Sequence, residues 1–314
     1  MSQRKQSERR WLPQLALVVL SLIWGYTWVM AKEGLDYAPP LAFAAQRSIG
    51  GALALLLVLK WSGRPLRMMA PGSALAIGLV QVAGFTLLQT WALVEGGAGK
   101  TAVLIYTMPI WTLLLAWWFL DERIRGTQWV AAATTLAGLL LIIEPWDLQA
   151  SPLSKLLGVL AALCWAIGTI LVKRLRARQT VDLLNLTTWQ MVVGAVVLAG
   201  FAVVVPEPAT RWSPHFLEIL GFMSVASTAL CWWLWTYILD RVPAWEASLS
   251  VLGTPVVALL SSRWLTDERF RLPELLGIAL IGSGLALLGL LGWVASRRSG
   301  ADAISGRSVD NALE

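Results

Sequence analysis

The sequence has little charge, one histidine and two cysteines. Asp, Glu, Lys and Arg make up 14% of its 314 residues, whereas a soluble domain carries roughly 25% charged residues. His215 stands alone, and Cys164 and Cys231 fall inside apolar runs. These scarcities exclude a multi-histidine metal site and a disulfide framework. No GxxxxGKS or GxxxxGKT phosphate loop occurs either, which argues against ATP hydrolysis. We expect no metal, no cofactor and no enzymatic activity.

Hydrophobic residues make up 57% of the chain and follow one another in long runs. A helix of ~20 apolar residues crosses the ~30 Å hydrocarbon layer of a membrane. The composition therefore predicts an all-α integral membrane protein whose helices pack within lipid. Ten spans are predicted, at residues 12–32, 40–60, 72–94, 101–120, 127–143, 154–173, 183–204, 215–239, 244–265 and 273–295.

One segment of the chain occurs twice. Residues 109–125, PIWTLLLAWWFLDERIR, return as residues 255–271, PVVALLSSRWLTDERFR. Trp24 and Trp165 also hold matching places, in spans 1 and 6. Such a recurrence indicates an internal duplication of five spans per copy.

The distribution of Lys and Arg predicts the topology. Most of the 25 basic residues fall in segments on the side of the N-terminus. Because positively charged loops stay inside, we predict that both termini are cytoplasmic. An odd number of spans per copy turns the second copy upside down. We therefore predict ten transmembrane helices arranged as two inverted five-helix repeats.

These assignments divide the chain into five parts. They are a cytoplasmic N-terminal tail (1–11), a first five-helix repeat (12–145), an external linker (146–153), a second, inverted repeat (154–295) and a cytoplasmic tail (296–314). The basic N-terminus leads directly into a run of spanning length, which fits an uncleaved first helix better than a secretory signal. The polar composition of the last part predicts disorder.

With these features the chain resembles the drug/metabolite transporter (DMT) superfamily, specifically its ten-helix transporters built from two EamA domains. The resemblance is carried by two proline–acidic pairs, an early Trp-Gly turn and an arginine in span 2: Pro109 with Asp121 and Glu122, Pro255 with Asp267 and Glu268, Trp24-Gly25, and Arg47. Within this group the chain is similar overall to bacterial exporters of aromatic and other neutral amino acids.

The resemblance implies a secondary transporter in a bacterial-type inner membrane. It would export small metabolites, with amino acids as the leading substrate class, by alternating access. Its partners would be a small-molecule substrate and membrane lipid, with no nucleic acid, and the chain would act as a monomer or a homodimer. The resemblance also implies a central cavity formed mainly by spans 1, 3, 4, 6, 8 and 9, with spans 5 and 10 more peripheral.

Two other functions are considered. Efflux of drugs or quaternary cations by proton antiport usually needs a buried carboxylate, and no Asp or Glu lies near the middle of any predicted span. A membrane-embedded channel or enzyme would need a ring of like polar residues or a cluster of Asp, His and Ser, which the sequence lacks. The same lack of carboxylates favours gradient-driven transport, although a carboxylate at the cavity mouth could still support proton antiport.

Arg47 is the strongest single candidate for substrate binding. It lies about seven residues into span 2, roughly 10 Å deep at 1.5 Å per residue. A cation at that depth is costly unless it pairs, snorkels or faces water. Its guanidinium could attract a substrate carboxylate, or it could be a structural tether to a neighbouring helix.

Trp24 and Trp165 are the next candidates. Both lie near the midpoint of their spans, where an inverted repeat brings matching residues to opposite walls. Flat aromatic walls suit apolar or aromatic substrates. With 19 tryptophans in the chain, packing against neighbouring helices is an equally good explanation.

Further candidates are polar or aromatic residues inside spans 3, 4, 8 and 9. Polar groups in hydrocarbon need a partner or a wet cavity, so substrate contact and interhelical hydrogen bonding both explain them. Gln81, which lies nearer mid-span, is chosen over Gln89. The set is Gln81, Tyr106, Thr228, Trp232, Ser250 and Thr254.

Two prolines and two charged strings complete the predictions. Pro109 and Pro255 cannot donate a backbone hydrogen bond, so each could kink its span and act in gating. The charged strings at the ends of the repeated segment are predicted to be interfacial anchors and helix caps. They are Asp121, Glu122 and Arg123, and Asp267, Glu268 and Arg269.

Overall fold

The structure, a computed structural model, describes residues 12–96, 105–124, 126–143, 152–254, 256–257, 260, 272–273, 275–287 and 290–291. These residues form helices joined by short connections, and none of them lies in a strand. The chain divides into two compact units. The first is Met1–Arg123 with Ile143–Phe270, and the second is Ile124–Ile142 with Arg271–Glu314.

Ten helices can be followed in the described residues. In chain order they are α1 (Leu12–Gly34), α2 (Pro40–Trp61), α3 (Pro71–Ile77, Gly78–Gly84 and Phe85–Gly96), α4 (Met108–Leu120), α5 (Gln128–Ile143), α6 (Pro152–Arg178), α7 (Leu183–Val204), α8 (Pro214–Phe222, Met223–Leu230 and Cys231–Leu239), α9 (Ala244–Ser250) and α10 (Leu275–Leu287). Helices α5 and α10 belong to the second unit, and the others to the first.

The length and the surface of these helices suit a membrane. Helices α1, α2, α3, α6, α7 and α8 are long and apolar enough to cross it, and α4, α5 and α10 are shorter apolar helices. Large apolar side chains lie exposed along them, with Leu53 and Leu217 each 55% exposed. Such a surface is unfavourable in water and fits lipid. The predicted all-α class and the number of helices are confirmed, and the inverted repeat stays a prediction.

Several helices begin at a proline or at a side-chain cap. Pro40, Pro71 and Pro214 lie in the first turn of α2, α3 and α8, where the missing N–H is not needed. Asp182 accepts a hydrogen bond from the Asn185 N–H at the start of α7, 2.8 Å away. These residues explain why the starts of α2, α3, α7 and α8 could be located from the sequence to within one position. Helix α4, in contrast, begins at Met108 after a turn at Tyr106 and Thr107, not at residue 101 as predicted.

Helices α3 and α8 each contain a π-helical stretch near the middle, at Gly78–Gly84 and Met223–Leu230. In the second stretch, the Thr228 hydroxyl donates to the Met223 carbonyl five residues earlier, at 2.7 Å. A π-helical turn is rare and is often found at functional sites. The two stretches hold matching places in the two halves of the chain.

Small residues allow the helices of the first unit to approach closely. A Cβ built on Gly51 of α2 would lie 2.5 Å from Thr228 Cγ2 of α8. One built on Gly168 of α6 would overlap the side chain of Gln81 on α3. Contacts this close need glycine, and they fix α2 against α8 and α6 against α3.

Helix α6 is longer than predicted. It ends at Arg178 rather than at residue 173, because its last turns are held by polar contacts. The Lys173 amine donates to the Val242 carbonyl at 2.7 Å, and Arg176 Nε donates to an Asp240 carboxylate oxygen at 2.6 Å. Because these charged side chains have partners, the helical conformation of α6 continues beyond its apolar stretch.

The second unit is held by close contact between α5 and α10. A Cβ on Gly138 of α5 would lie 2.7 Å from the Gly277 carbonyl oxygen, and one on Gly284 of α10 would lie 2.9 Å from the Ala131 carbonyl oxygen. Both helices therefore use glycine to let their backbones meet.

Candidate functional site

The first unit contains a cavity of about 250 Å³. Its lining comes from α1, α2, α3, α4, α6 and α8, from Ile105 and Tyr106 before α4, and from Val251 and Thr254 after α9. The resemblance had implied spans 1, 3, 4, 6, 8 and 9 as the main contributors. The structure adds α2, which provides Pro40, Phe43, Ala44 and Arg47.

The helices of the first unit share two ends, which we name the Tyr37 end and the Lys173 end after residues found there. The cavity lining includes Ala31 of α1, Leu35 of the connection between α1 and α2, and Pro40 of α2, all at the Tyr37 end. Among the described residues, the lining includes none from the connections at the Lys173 end. The cavity therefore extends toward the Tyr37 end.

Four tryptophans meet at the inner end of the cavity, and we call them the tryptophan floor. Trp24, Trp165 and Trp232 line the cavity, and Trp235 is fully buried and packs against Trp24 and Trp165. The centroid of the Trp165 ring lies 5.4 Å from that of Trp24, 5.5 Å from Trp232 and 5.3 Å from Trp235. The pairs with Trp24 and Trp232 are edge-to-face, and such pairs are worth about 0.5–1.5 kcal/mol each beyond their burial. The sequence predicted Trp24 and Trp165 on opposite walls, whereas they touch and form one continuous surface.

The floor is fixed by a hydrogen bond to a π-helical stretch. The Trp24 indole N–H donates to the Ser227 carbonyl oxygen of α8 at 3.0 Å. The Thr27 hydroxyl, one turn along α1, lies 2.9 Å from the Ser227 hydroxyl. These bonds join α1 to α8 and hold the Trp24 ring in place. They also explain how polar atoms inside the span are satisfied.

Aromatic side chains continue from the floor along the cavity wall. Phe85 of α3 lies 5.1 Å from Trp165 between ring centroids, and Trp28 of α1 lies 6.1 Å from Tyr106. All of these residues line the cavity. The wall is therefore suited to a flat apolar group.

Arg47 is the one charged side chain in the described lining of the cavity. Within the residues that the structure describes, no hydrogen bond or ion pair joins it to another residue. An unpaired guanidinium among apolar groups is costly and attracts an anion. The tether to a neighbouring helix, which the sequence left open, has no partner within these residues.

Several buried polar atoms of the lining also lack a hydrogen-bond partner among the described residues. Among them are Gln89 Oε1, Trp165 Nε1 and Thr254 Oγ1. A buried polar atom left without a partner costs about 1–3 kcal/mol. A polar ligand in the cavity could satisfy these atoms, so their position favours a binding site.

Charged residues close the Lys173 end. One carboxylate oxygen of Glu122 accepts a hydrogen bond from the Ala244 N–H at the start of α9, at 2.7 Å, and the other lies 3.6 Å from the Lys173 amine. The Lys173 amine also donates to Val242. We name Glu122, Lys173, Val242 and Ala244 the Glu122 latch. It joins α4, α6 and the connection before α9.

The structure places most of the predicted binding residues around one cavity. Trp24, Arg47, Tyr106, Trp165, Trp232 and Thr254 line it. Gln81 does not, because its side-chain N–H groups donate to the Trp165 carbonyl and the Thr169 hydroxyl. Thr228 packs against Gly51, and Ser250 is partly exposed outside the lining.

The remaining predicted residues lie elsewhere. Pro109 is in the first turn of α4, directly after a turn at Tyr106 and Thr107, and its role in gating stays a prediction. Asp121, at φ 52°, ends α4, and Arg123 is exposed. Four predicted residues lie outside the described part of the chain: Pro255, Asp267, Glu268 and Arg269.

Sequence reasoning preferred Gln81 to Gln89, and it did not select Trp28 or Phe85. Phe85 and Gln89 are four residues apart and share one face of α3. The sequence did not single out that face, because Gln81 and Gln89 are both amides in a mostly apolar helix and nothing in the sequence shows which of them meets a cavity. Gln81 was therefore preferred only because it lies nearer the middle of the predicted span.

Comparison with known proteins agrees with this architecture. The EamA-like transporter family matches the chain twice, at residues 11–144 and 153–290. A Bacillus subtilis (strain 168) protein described as the uncharacterized transporter YoaV is 30% identical over 277 residues, which cover 86% of this chain and 94% of that protein.

Two further similarities are informative. An Escherichia coli (strain K12) protein described as a probable amino-acid metabolite efflux pump is 27% identical over 281 residues, covering 86% of this chain and 92% of that protein. A crystal structure superposes with a TM-score of 0.76 at 17% identity, over 89% of this chain and 98% of the other. At that identity the likeness concerns the fold.

Proposed function

The chain belongs to the EamA-like transporter family of the DMT superfamily, a multi-pass membrane family, and on this premise we propose that it exports amino acids. The proposed substrates are aromatic and other neutral amino acids, moved out of the cell by alternating access. The chain would act as a secondary transporter in the inner membrane, with both termini in the cytoplasm.

The observation that carries the proposal is an unpaired Arg47 in the same cavity as the tryptophan floor. An amino acid has a carboxylate for the guanidinium and a side chain for the indole rings. Pockets of ~300–1,000 Å³ hold drug-sized ligands. A cavity of about 250 Å³ suits a smaller molecule. The E. coli relative described as an amino-acid metabolite efflux pump supports the same class.

Efflux of drugs or quaternary cations fits this cavity poorly. A cation needs a carboxylate or a cage of aromatic faces without a competing positive charge. No Asp or Glu belongs to the described lining, and Arg47 would repel a cation there. The lining does not favour a channel or an enzyme either. Its described part contains no ring of like polar residues and no cluster of catalytic residues.

Alternating access is supported by matching features in the two halves of the chain. The two π-helical stretches occur at Gly78–Gly84 and Met223–Leu230. Gly51 packs against the second stretch, and its counterpart Gly194 packs against Val82 in the first. In the proposed cycle the Tyr37 end and the Lys173 end open in turn. By the distribution of basic residues, the Lys173 end faces the cytoplasm.

Counterflow in proteoliposomes tests the proposal. Vesicles containing the purified chain are loaded with an unlabelled amino acid, and uptake of labelled phenylalanine, tryptophan and serine is measured beside a cationic dye. We expect saturable uptake of phenylalanine and tryptophan, weaker uptake of serine and no uptake of the dye. Transport of the dye without transport of any amino acid would overturn the proposal.

A further inference from the structure

We propose that Gln89 forms a subsite for the amino group of the substrate, next to the carboxylate site at Arg47. This subsite would make the transporter select an amino acid over the same molecule without its amino group. The inference rests on the proposed function, because it concerns how the same cavity recognises an amino acid. It adds a second polar contact that the aromatic walls and the arginine do not supply.

The first support is the state of the Gln89 side chain. Gln89 lines the cavity, and its buried Oε1 accepts no hydrogen bond from any described residue. A side-chain amide oxygen has two lone pairs and is a good acceptor for an ammonium group. Since no bond within the described residues holds this amide, rotation about its last torsion can aim the oxygen at a ligand.

The second support is that every other side-chain acceptor in the described lining is a hydroxyl, including the unpaired hydroxyl of Thr254. No carboxylate belongs to the described lining. The hydroxyls of Thr27 and Thr90 donate to the carbonyls of Ile23 and Thr86 in their own helices. Gln89 therefore offers the only side-chain carbonyl in the described lining. The arginine, which is a donor only, cannot serve an ammonium group.

The third support is the position of Gln89 relative to Arg47. The carboxylate and the ammonium group of an α-amino acid are bonded to one carbon atom, so their binding groups must come from adjacent parts of the protein. Helices α2 and α3 pack directly against each other through Leu41, Ala45 and Leu87. Arg47 and Gln89 extend from these two neighbouring helices into one cavity.

Together these features predict strong discrimination. A ligand with an amino group satisfies the buried amide oxygen, whereas its analogue leaves that oxygen without a partner. A site built to make a hydrogen bond rejects an analogue that cannot make it. One hydrogen bond to a charged group changes affinity by about tenfold or more.

The test compares phenylalanine with 3-phenylpropionate, which lacks only the amino group. Binding to the purified full-length chain is followed by the fluorescence of its tryptophans, several of which line the cavity. We expect the native chain to bind phenylalanine about tenfold more tightly than 3-phenylpropionate. In Gln89→Met the two dissociation constants should become nearly equal, mainly because phenylalanine binds less tightly.

Two further variants separate the contributions. Arg47→Gln should weaken both ligands and leave their ratio close to the native ratio. Gln81→Met, on the same helix but outside the cavity lining, should leave the ratio unchanged. If Gln89→Met does not fold, Gln89→Asn, which withdraws the amide by one methylene, should lower the ratio in the same direction.

The outcomes distinguish this inference from the proposed function. Equal binding of the two ligands by the native chain, or a native ratio retained in the Gln89 variants, would overturn the amino-group subsite while amino-acid export stands. If neither ligand, nor any amino acid tried, binds to the native chain, the proposed function fails and the subsite fails with it.

Discussion

At the scale of single residues, the unpaired state of Arg47 leads to a direct prediction. Arg47→Ala removes the guanidinium without breaking a hydrogen bond or ion pair to any described residue. We expect transport of carboxylate-bearing substrates to fall by about tenfold or more, while the protein folds normally. Counterflow and thermal unfolding in detergent measure the two effects. Loss of folded protein from the membrane would contradict the prediction and favour a structural tether.

Some of the cavity residues could be identified from the sequence because they stand out from the apolar residues around them. Arg47 is a lone charge inside a span, and Trp24 and Trp165 repeat at matching places. Gln89 was not selected because the sequence of α3 does not show which of its two amides, Gln81 or Gln89, faces a cavity. The contact between Trp24 and Trp165 also depends on packing between distant segments, which the sequence does not encode locally.

At the scale of helices, the Glu122 latch predicts a local change in stability. Glu122→Ala removes the acceptor for the Ala244 N–H, which is the first amide of α9. Loss of a helix N-terminal acceptor costs about 1 kcal/mol. Hydrogen exchange at the start of α9 should therefore become about fivefold faster, as measured by mass spectrometry of peptides covering residues 240–250.

Glu207→Ala is the matched control for this change. At the opposite end of the unit, the Glu207 carboxylate accepts hydrogen bonds from the Leu41 and Ala42 N–H groups, at 3.1 and 2.8 Å. This variant should speed exchange at the start of α2 and leave the start of α9 unchanged. Equal exchange at α9 in Glu122→Ala and the native chain would show that the latch does not hold that helix.

The contact between α5 and α10 gives a second prediction at this scale. Gly138→Leu would place side-chain atoms against the Gly277 carbonyl and the backbone of Ile281. Overpacking of this kind costs about 1–3 kcal/mol, so the temperature of unfolding in detergent should fall. Gly282→Leu is the control, because a Cβ there meets no atom of the described residues within 4 Å. Equal unfolding temperatures for the two variants would contradict the close contact.

The limits of α2, α3, α7 and α8 were predictable because prolines and caps mark them, whereas α9 ends at Ser250 and not at residue 265 as predicted. The π-helical stretches in α3 and α8 were not predictable, because Gly78–Gly84 and Met223–Leu230 contain no residue type that requires an extra residue per turn. Packing across the unit determines them: Gly78 meets the Gln190 carbonyl of α7, and Ser227 meets Trp24 of α1. The position of a π-helical stretch is therefore determined by contacts between helices and not by the residues of one helix.

At the scale of the whole molecule, composition predicts the membrane class and the distribution of charge predicts its orientation. Low charge and repeated apolar runs are properties of the entire chain. A prediction of membrane class from them therefore stays correct even when single residues are interpreted wrongly. The duplication is likewise visible over long distances, and the family matches two successive segments, 11–144 and 153–290. The cavity itself depends on side chains from both halves, and for that reason only its main residue types could be foreseen.

The same cavity determines how transport should respond to a gradient. No titratable carboxylate belongs to its described lining, and Arg47 stays charged at all physiological pH values. A neutral amino acid carries no net charge, so its movement is not coupled to the membrane potential. We therefore expect net uptake of phenylalanine into vesicles that hold no internal substrate to proceed at the same rate with and without a pH gradient.

Two conditions make this last prediction decisive. Vesicles are compared at equal internal and external pH and with a difference of about one pH unit, which corresponds to 1.4 kcal/mol per coupled proton. An imposed potassium diffusion potential should likewise leave the rate unchanged. Uptake that occurs only with the pH gradient would show proton antiport and would require a carboxylate outside the lining to take up the proton. Glu246 at the start of α9 is the first residue to replace in that case, because it is partly buried and lies close to the Glu122 latch.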